Sequence, residues 1–95
     1  LFQFWVIKLY RVRGSSMAPN FNNQDLVIVT RFMLNLKVND VVLLLIPKLG
    51  IVIKRIYFMD KNSIKVKGDN MDYYSPIYNK TYNKDEIIGK VIYKF

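Results

Sequence analysis

The sequence predicts a mostly β fold, a small antiparallel coiled sheet or barrel formed by one domain that spans residues 1–95. Short runs rich in β-branched and aromatic residues recur along the chain, and turn residues separate them. No segment has a convincing amphipathic helical pattern. Hydrophobic residues make up 52% of the chain, which is enough for a packed core and excludes a disordered tail.

Six runs of the chain predict strands, and they cover residues 4–12, 25–31, 40–46, 51–59, 63–67 and 87–93. The sequence Pro-Lys-Leu-Gly at 47–50 separates two strongly apolar runs, so we expect a hairpin there. Residues 59–62 predict another turn. Residues 31–39 fit a strand, a short helix or a turn, and residues 68–86 predict a longer irregular segment.

The composition excludes several kinds of site. The chain has no cysteine and no histidine, which excludes thiol catalysis, zinc–thiolate sites and the commonest general base. With only seven acidic residues as well, we expect no metal and no cofactor. The formal charge of +8 fits a solvated lysine-rich surface, and it would also favour an anionic membrane surface or acidic partners.

The first nine residues have two interpretations. Residues 1–9 are apolar and aromatic, so they predict either a first strand or the remnant of a membrane-anchoring segment. The chain opens on Leu1, and we therefore expect further residues upstream. A spanning helix there would place the protein at the plasma membrane, and without one we expect a cytoplasmic protein.

Two adjacent serines are the candidate nucleophiles. Ser15 and Ser16 lie between Gly14, which permits unusual backbone torsions, and Pro19, which fixes one. A rigid turn of this kind can expose a hydroxyl and direct a backbone N–H at the same point, as an oxyanion site requires. A solvated turn with no chemical role explains the same residues.

A serine nucleophile needs a base, and without histidine that base would be a lysine. The lysine must be neutral, so we look for one within an apolar strand, where burial lowers its pKa. Period-two alternation places Lys54 on one face with Val52 and Ile56, whereas Arg55 points to the other face, towards water or a partner. Lys8 is the main competitor, and a snorkelling lysine at a strand edge is the alternative for Lys54.

Several short motifs, in order, resemble those of the type I signal peptidases, which are serine–lysine endopeptidases. The sequence G-S-S-M-A-P at 14–19 resembles the family's G-x-S-M-x-P box, and I-K-R-I at 53–56 resembles its lysine strand. K-G-D-N at 67–70, S-P-I-Y-N at 75–79 and the closing strand at 86–95 resemble further segments. Self-cleaving LexA-like repressors share this serine–lysine fold, but they lack a GDN box followed by the closing I-I-G-K pattern.

The resemblance implies a role for each matching residue. Ser16 would be the nucleophile, Lys54 the general base, and the Ser16 backbone N–H an oxyanion donor. Residues expected around the oxyanion site and the substrate pocket are Gly14, Ser15, Met17 and Pro19. Residues expected to support the site are Asp69, which would order the turn near the lysine, Asn70, and Ser75, which would hydrogen-bond the lysine. Because Gly14 has no hydroxyl, a second oxyanion donor must come from the main chain or elsewhere.

The function implied by the resemblance is cleavage of signal peptides or leader segments from precursor proteins through an acyl-enzyme. The precursors would be extended at the cleavage site, and we expect no nucleic acid partner. The short form of the chain also resembles the maturation proteases of nickel superoxide dismutase. Two further alternatives are an inactive family member and a basic β module that binds single-stranded nucleic acid.

Overall fold

The computed structural model describes residues 6–32 and 35–95. Its strands form one antiparallel sheet of seven, in the order β1-β2-β7-β3-β4-β5-β6, which confirms the predicted fold class. The strands are β1 (Ile7–Arg11), β2 (Leu26–Thr30), β3 (Val41–Ile46), β4 (Gly50–Met59), β5 (Ser63–Lys67), β6 (Tyr82–Asn83) and β7 (Ile87–Lys94).

All six predicted strands have a counterpart, and β6 is the addition. It lies in the segment 68–86, together with two 3-10 helices at Pro76–Asn79 and Lys84–Glu86. Residues 35–40 form turns and irregular backbone, and residues 33–34 lie outside the described residues. The part of the prediction that falls on residues 1–5 also lies outside them. No helix in the described ranges is long and apolar enough to cross a membrane.

The buried side chains form two clusters on opposite faces of the sheet. The first cluster joins β3, β4 and β5 to the segment after them, and its buried members include Val42, Leu44, Ile56 and Val66. The second cluster is formed by Val12, Met17, Val27, Val29, Val41, Leu43 and Ile53. Because neighbouring residues of a strand face opposite sides, β3 and β4 contribute to both clusters.

The two turns that flank β4 follow from their residues. In the β3–β4 hairpin, Ile46 pairs with Gly50 and accepts a hydrogen bond from the Leu49 N–H at 3.0 Å. Gly50 has φ +83°, a conformation that glycine adopts without steric cost, so the predicted hairpin is confirmed. After β4, the Asp60 carboxylate accepts hydrogen bonds from the backbone N–H groups of Asn62 and Ser63 and starts β5.

Candidate active site

Ser16 and Lys54 meet although 38 residues separate them in sequence. Lys54 lies in the middle of β4, and Ser16 lies in the loop between β1 and β2. The Lys54 Nζ donates a hydrogen bond to the Ser16 Oγ at 2.8 Å. A basic nitrogen and a hydroxyl therefore lie within proton-transfer distance of each other.

The surroundings of Lys54 disfavour its charged form. The residue is 7% exposed, and its Cα partner across the ladder is Val42, a fully buried member of the first cluster. Ile56, two residues along β4 on the same face, is also fully buried. Burial lowers the pKa of Lys54 below its ordinary value because the ammonium loses hydration that apolar neighbours do not replace.

The loop that carries Ser16 is held against the segment that follows β5. The Asn70 backbone N–H donates to the Ser16 carbonyl at 2.9 Å, and the Asn70 Nδ2 donates to the Ser15 carbonyl, also at 2.9 Å. A Cβ on Gly68 would lie 2.3 Å from the Ser16 carbonyl oxygen and 2.6 Å from the Tyr78 hydroxyl. Gly68 therefore allows an approach of the two segments that any side chain would block.

Asp69 lies beside the site but is engaged by other groups. The Arg55 Nε and Nη2 donate to its two carboxylate oxygens at 2.8 and 2.7 Å, and the Asn20 Nδ2 donates to Oδ2 at 3.0 Å. Burial alone would raise the pKa of Asp69, but these hydrogen bonds outweigh it and the pKa is lowered. The carboxylate is thus held ionised and ties β4 to the segment after β5.

A cleft of about 440 Å³ opens beside the segment that contacts the Ser16 main chain. Gly68 forms part of its wall, and the other lining residues are Asn20, Lys67, Asp69, Asn70, Met71, Tyr73 and Tyr78. Asn70 and Gly68 are also the residues that contact the serine loop. The cleft wall therefore contacts the main chain of Ser15 and Ser16.

The chain is similar to a known peptidase family. The sequence model of the family described as Peptidase S24-like matches residues 7–92, nearly the whole chain. The chain belongs to the peptidase S24-like family. No curated protein matches it significantly. Membership in the S24-like family supports a serine-type peptidase, whereas the resemblance to type I signal peptidases in particular stays a prediction.

The structure brings most of the predicted residues of this S24-like chain to the Ser16 loop. Gly14 has φ +84°, and its N–H donates to the Asn23 Oδ1 at 2.8 Å, which holds the turn. Ser15 contributes its carbonyl to the contact with Asn70. Pro19 follows a cis peptide bond, and its carbonyl accepts from the Asn22 Nδ2. Lys8, the competing lysine, is exposed on β1.

Two expectations need correction. The Ser75 hydroxyl accepts from the Ile77 N–H at 3.3 Å and caps the 3-10 helix, so we no longer assign it to Lys54. A serine before a proline is a favourable cap for a helix, which is the physical reason. Met17 is 1% exposed within the second cluster, so its side chain packs in the core and does not line an open pocket.

Sequence reasoning missed three contributions to this S24-like site. Gly68 was quoted only as part of a motif, and its close contact with Ser16 depends on the tertiary path of the loop. Arg55 was expected to face water or a partner, and it binds Asp69. Tyr78 lies against Gly68 with its hydroxyl. The only sequence signal was for Arg55, because it lies on the face opposite Lys54 and an acid follows the next strand.

Proposed function

We propose that this S24-like chain is a serine endopeptidase that removes signal or leader segments from precursor proteins. Ser16 is the nucleophile and Lys54 is the general base. The observation that carries the proposal is the 2.8 Å contact between the Lys54 Nζ and the Ser16 Oγ, made by a lysine that is almost fully buried. A surface lysine would stay protonated at neutral pH and would not serve as a base.

The proposed reaction has two stages. Neutral Lys54 takes the proton of the Ser16 hydroxyl while the Oγ attacks the carbonyl carbon of the scissile bond. The lysine then gives that proton to the leaving amine, the C–N bond breaks, and an ester joins the substrate acyl group to Ser16. In the second stage, Lys54 removes a proton from water and the resulting hydroxide attacks the ester carbonyl. The bond between the acyl carbon and the Ser16 Oγ then breaks, the Lys54 ammonium returns its proton to that oxygen, and the new carboxyl terminus leaves.

The oxyanion formed in both stages needs hydrogen-bond donors. We assign the Ser16 backbone N–H as one donor, because it belongs to the same residue as the attacking oxygen. Gly14, two residues earlier, contributes no hydroxyl, so the second donor is a main-chain group or belongs to another side chain. An extended precursor segment would bind along an edge of the sheet and supply further backbone hydrogen bonds.

Two kinds of precursor fit the proposal. One is an exported protein with an amino-terminal signal peptide, cleaved at the plasma membrane, where the charge of +8 would favour anionic lipid. The other is a cytoplasmic precursor with a leader segment, as in the maturation of nickel superoxide dismutase. The same catalytic pair would cleave both kinds of precursor, so the two are distinguished by testing each as a substrate.

The test compares neighbouring serines. Purified wild-type protein, Ser16→Ala and Ser15→Ala are incubated with one precursor of each kind, and cleavage is followed by mass spectrometry. We expect Ser16→Ala to lose activity by at least about 10³-fold, since the step has no other nucleophile, whereas Ser15→Ala stays within tenfold of wild type. Equal cleavage by Ser16→Ala and wild type would contradict the proposal.

The pH dependence tests the base. Only neutral Lys54 accepts the serine proton, so kcat/KM should rise with pH through the lowered pKa of Lys54 and then level off. A rate that follows only the titration of a carboxylate would exclude the assignment. Binding of single-stranded nucleic acid that weakens with salt and persists in Ser16→Ala, without peptide cleavage, would favour the binding-module alternative.

A further inference from the structure

The cleft beside Ser16 has a chemical character of its own. It is formed by the segment after β5 and by the end of the serine loop, so its walls come from two parts of the chain that meet at Gly68. Ser16 contacts this segment through Gly68 and Asn70, and both residues line the cleft. The cleft therefore shares a wall with the main chain of the proposed nucleophile.

The cleft lining carries one lysine and one acid, and the acid is already paired. Asp69 is the one acid among the described lining residues, and the Arg55 guanidinium already binds both of its oxygens. Lys67 is a second cation near the same carboxylate and helps to lower its pKa. Asp72 follows on the same loop but does not line the cleft. Arg55 does not line the cleft either, but its ion pair neutralises Asp69, so the positive charge of Lys67 is not balanced by that carboxylate.

The Lys67 ammonium is accessible to a ligand in the cleft. Its side chain is exposed, and its Nζ lies 5.7 Å from the centre of the Tyr57 ring. The Tyr57 hydroxyl donates to the Tyr78 carbonyl, so the ring beside Lys67 is itself anchored to the cleft wall. An exposed ammonium loses little hydration when it forms an ion pair. Lys67 could therefore bind the carboxylate of a substrate side chain in addition to facing Asp69.

The rim of the cleft is apolar. Met71 is 98% exposed and Tyr73 is 52% exposed, although both belong to residue types that gain from burial. Met71 is unbranched and adapts to different shapes. The rim can therefore pack against a bound peptide segment with little preference for a particular residue.

We propose that this cleft is a substrate subsite that selects an acidic side chain near the scissile bond, with Lys67 as the residue that binds its carboxylate. This inference rests on the proposed peptidase function, because it names the substrates of the same site. Lys67 determines specificity here and takes no part in the chemistry at Ser16. Precursors with Glu or Asp at the matching position are cleaved faster than neutral ones, and those with Lys there are cleaved more slowly.

The test is a set of peptides built on one cleavable sequence. Glu, Gln or Lys is placed in turn at each of four positions on either side of the scissile bond, and kcat/KM is measured for wild type, Lys67→Glu and Lys67→Gln. At one position we expect Glu to be favoured over Gln by about two- to fivefold, as for an exposed ion pair. Lys67→Gln should remove the preference, and Lys67→Glu should reverse it in favour of Lys.

Lys65→Glu is the matched control. Lys65 belongs to the same strand and face, and its Nζ likewise lies over an aromatic ring, 5.9 Å from the centre of Phe58, but it does not line the cleft. This variant changes the net charge of the protein equally and should keep the wild-type preference. An unchanged preference in Lys67→Glu, or the same change in Lys65→Glu, would overturn the inference.

The two proposals fail differently. If Lys67→Glu cleaves the Gln peptides within twofold of wild type but keeps the preference for Glu, the subsite is wrong and the peptidase stands. If wild type cleaves no peptide, the proposed function fails. Fluorescence anisotropy of the labelled Glu, Gln and Lys peptides on Ser16→Ala then tests the cleft alone. Tighter binding of the Glu peptide that is lost in Ser16→Ala/Lys67→Glu supports the subsite, and equal binding of the three peptides refutes it.

Discussion

Lys54 and the two lysines of β5 belong to adjacent strands of one sheet, yet their surroundings differ completely. Lys54 shares a face with buried Val42 and Ile56 and contacts the Ser16 hydroxyl. Lys65 and Lys67 alternate with buried Ile64 and Val66, so they point to the opposite face and lie over aromatic rings. The face of the strand, set by register, decides whether a lysine loses its hydration and has its pKa lowered.

Replacing each lysine by methionine is the strongest test of this difference. We expect Lys54→Met to lower kcat by about 10²–10⁴-fold, since it removes the proposed general base and leaves the shape of the site nearly unchanged. Lys65→Met should stay within twofold of wild type. Rates of precursor cleavage, with circular dichroism to show that both variants are folded, measure the effect. An equal loss of kcat in Lys54→Met and Lys65→Met would show that the two lysines do not differ in role.

Gly68 connects the two environments, because it follows Lys67 and contacts the serine above Lys54. We expect Gly68→Ala to displace the Ser16 loop, since the new Cβ would lie 2.3 Å from the Ser16 carbonyl oxygen, and to lower activity by about 10²-fold. The control is Gly50→Ala in the distant hairpin, where the positive φ makes alanine cost about 1–2 kcal/mol of stability. Full activity in Gly68→Ala would show that the close contact is not needed.

Asn70 contributes a smaller share of the same contact. Asn70→Ala removes the hydrogen bond from Nδ2 to the Ser15 carbonyl and the one that Oδ1 accepts from the Asp72 N–H, but it keeps the backbone bond to Ser16. We expect the free energy of unfolding, measured by urea denaturation, to fall by about 1 kcal/mol, and kcat to fall a few-fold with little change in KM. Asn62→Ala, in the exposed β4–β5 turn, is the comparison. Equal stability and equal kcat in the two variants would show that the Asn70 side chain does not help to hold the serine loop.

The smallest effect is a slope of stability with pH. The pKa of Lys54 is lowered in the folded protein and ordinary, near 10.5, in the unfolded chain, so the unfolded chain binds more protons between these two values. Stability should therefore rise with pH across that window. In Lys54→Met this part of the rise should disappear, whereas Lys65→Met should keep it. Urea denaturation at several pH values measures the slopes. Equal slopes for wild type, Lys54→Met and Lys65→Met would contradict a lowered pKa of Lys54.

The strands were predictable because their signals are local. Alternating β-branched residues and short turns mark β1–β5 and β7, and the same alternation placed Lys54 on an apolar face. Strand β6 has only two residues, Tyr82 and Asn83, in a polar segment, so no periodicity marks it. The sheet accepts it through pairing with Ser63 and Ile64, which is a tertiary effect.

The site was predictable only where a residue's role follows from its own strand or motif. The pairing of Arg55 with Asp69 depends on the register between β4 and β5, which puts Arg55 opposite Lys67, two residues before the acid. Met17 lies in a loop whose path the sequence does not specify, and it packs inward against Val12 and the second cluster. Ser75 had a local alternative, the cap before Pro76, that competed with the proposed contact to Lys54.

The sheet order has a consequence for biosynthesis. Strand β7 follows all other described strands in sequence, yet it lies between β2 and β3. Among residues 6–32 and 35–95 it is the one strand that joins the β1–β2 pair to the β3–β6 group within the sheet. Ser16 precedes β2 and Lys54 belongs to β4, so the two residues lie on different sides of that link. During synthesis the ribosome must release residues 87–94 before the sheet can close. Until β7 has been made, the strand pair that follows the serine loop and the strand group that carries Lys54 have no sheet pairing between them in the described part of the chain.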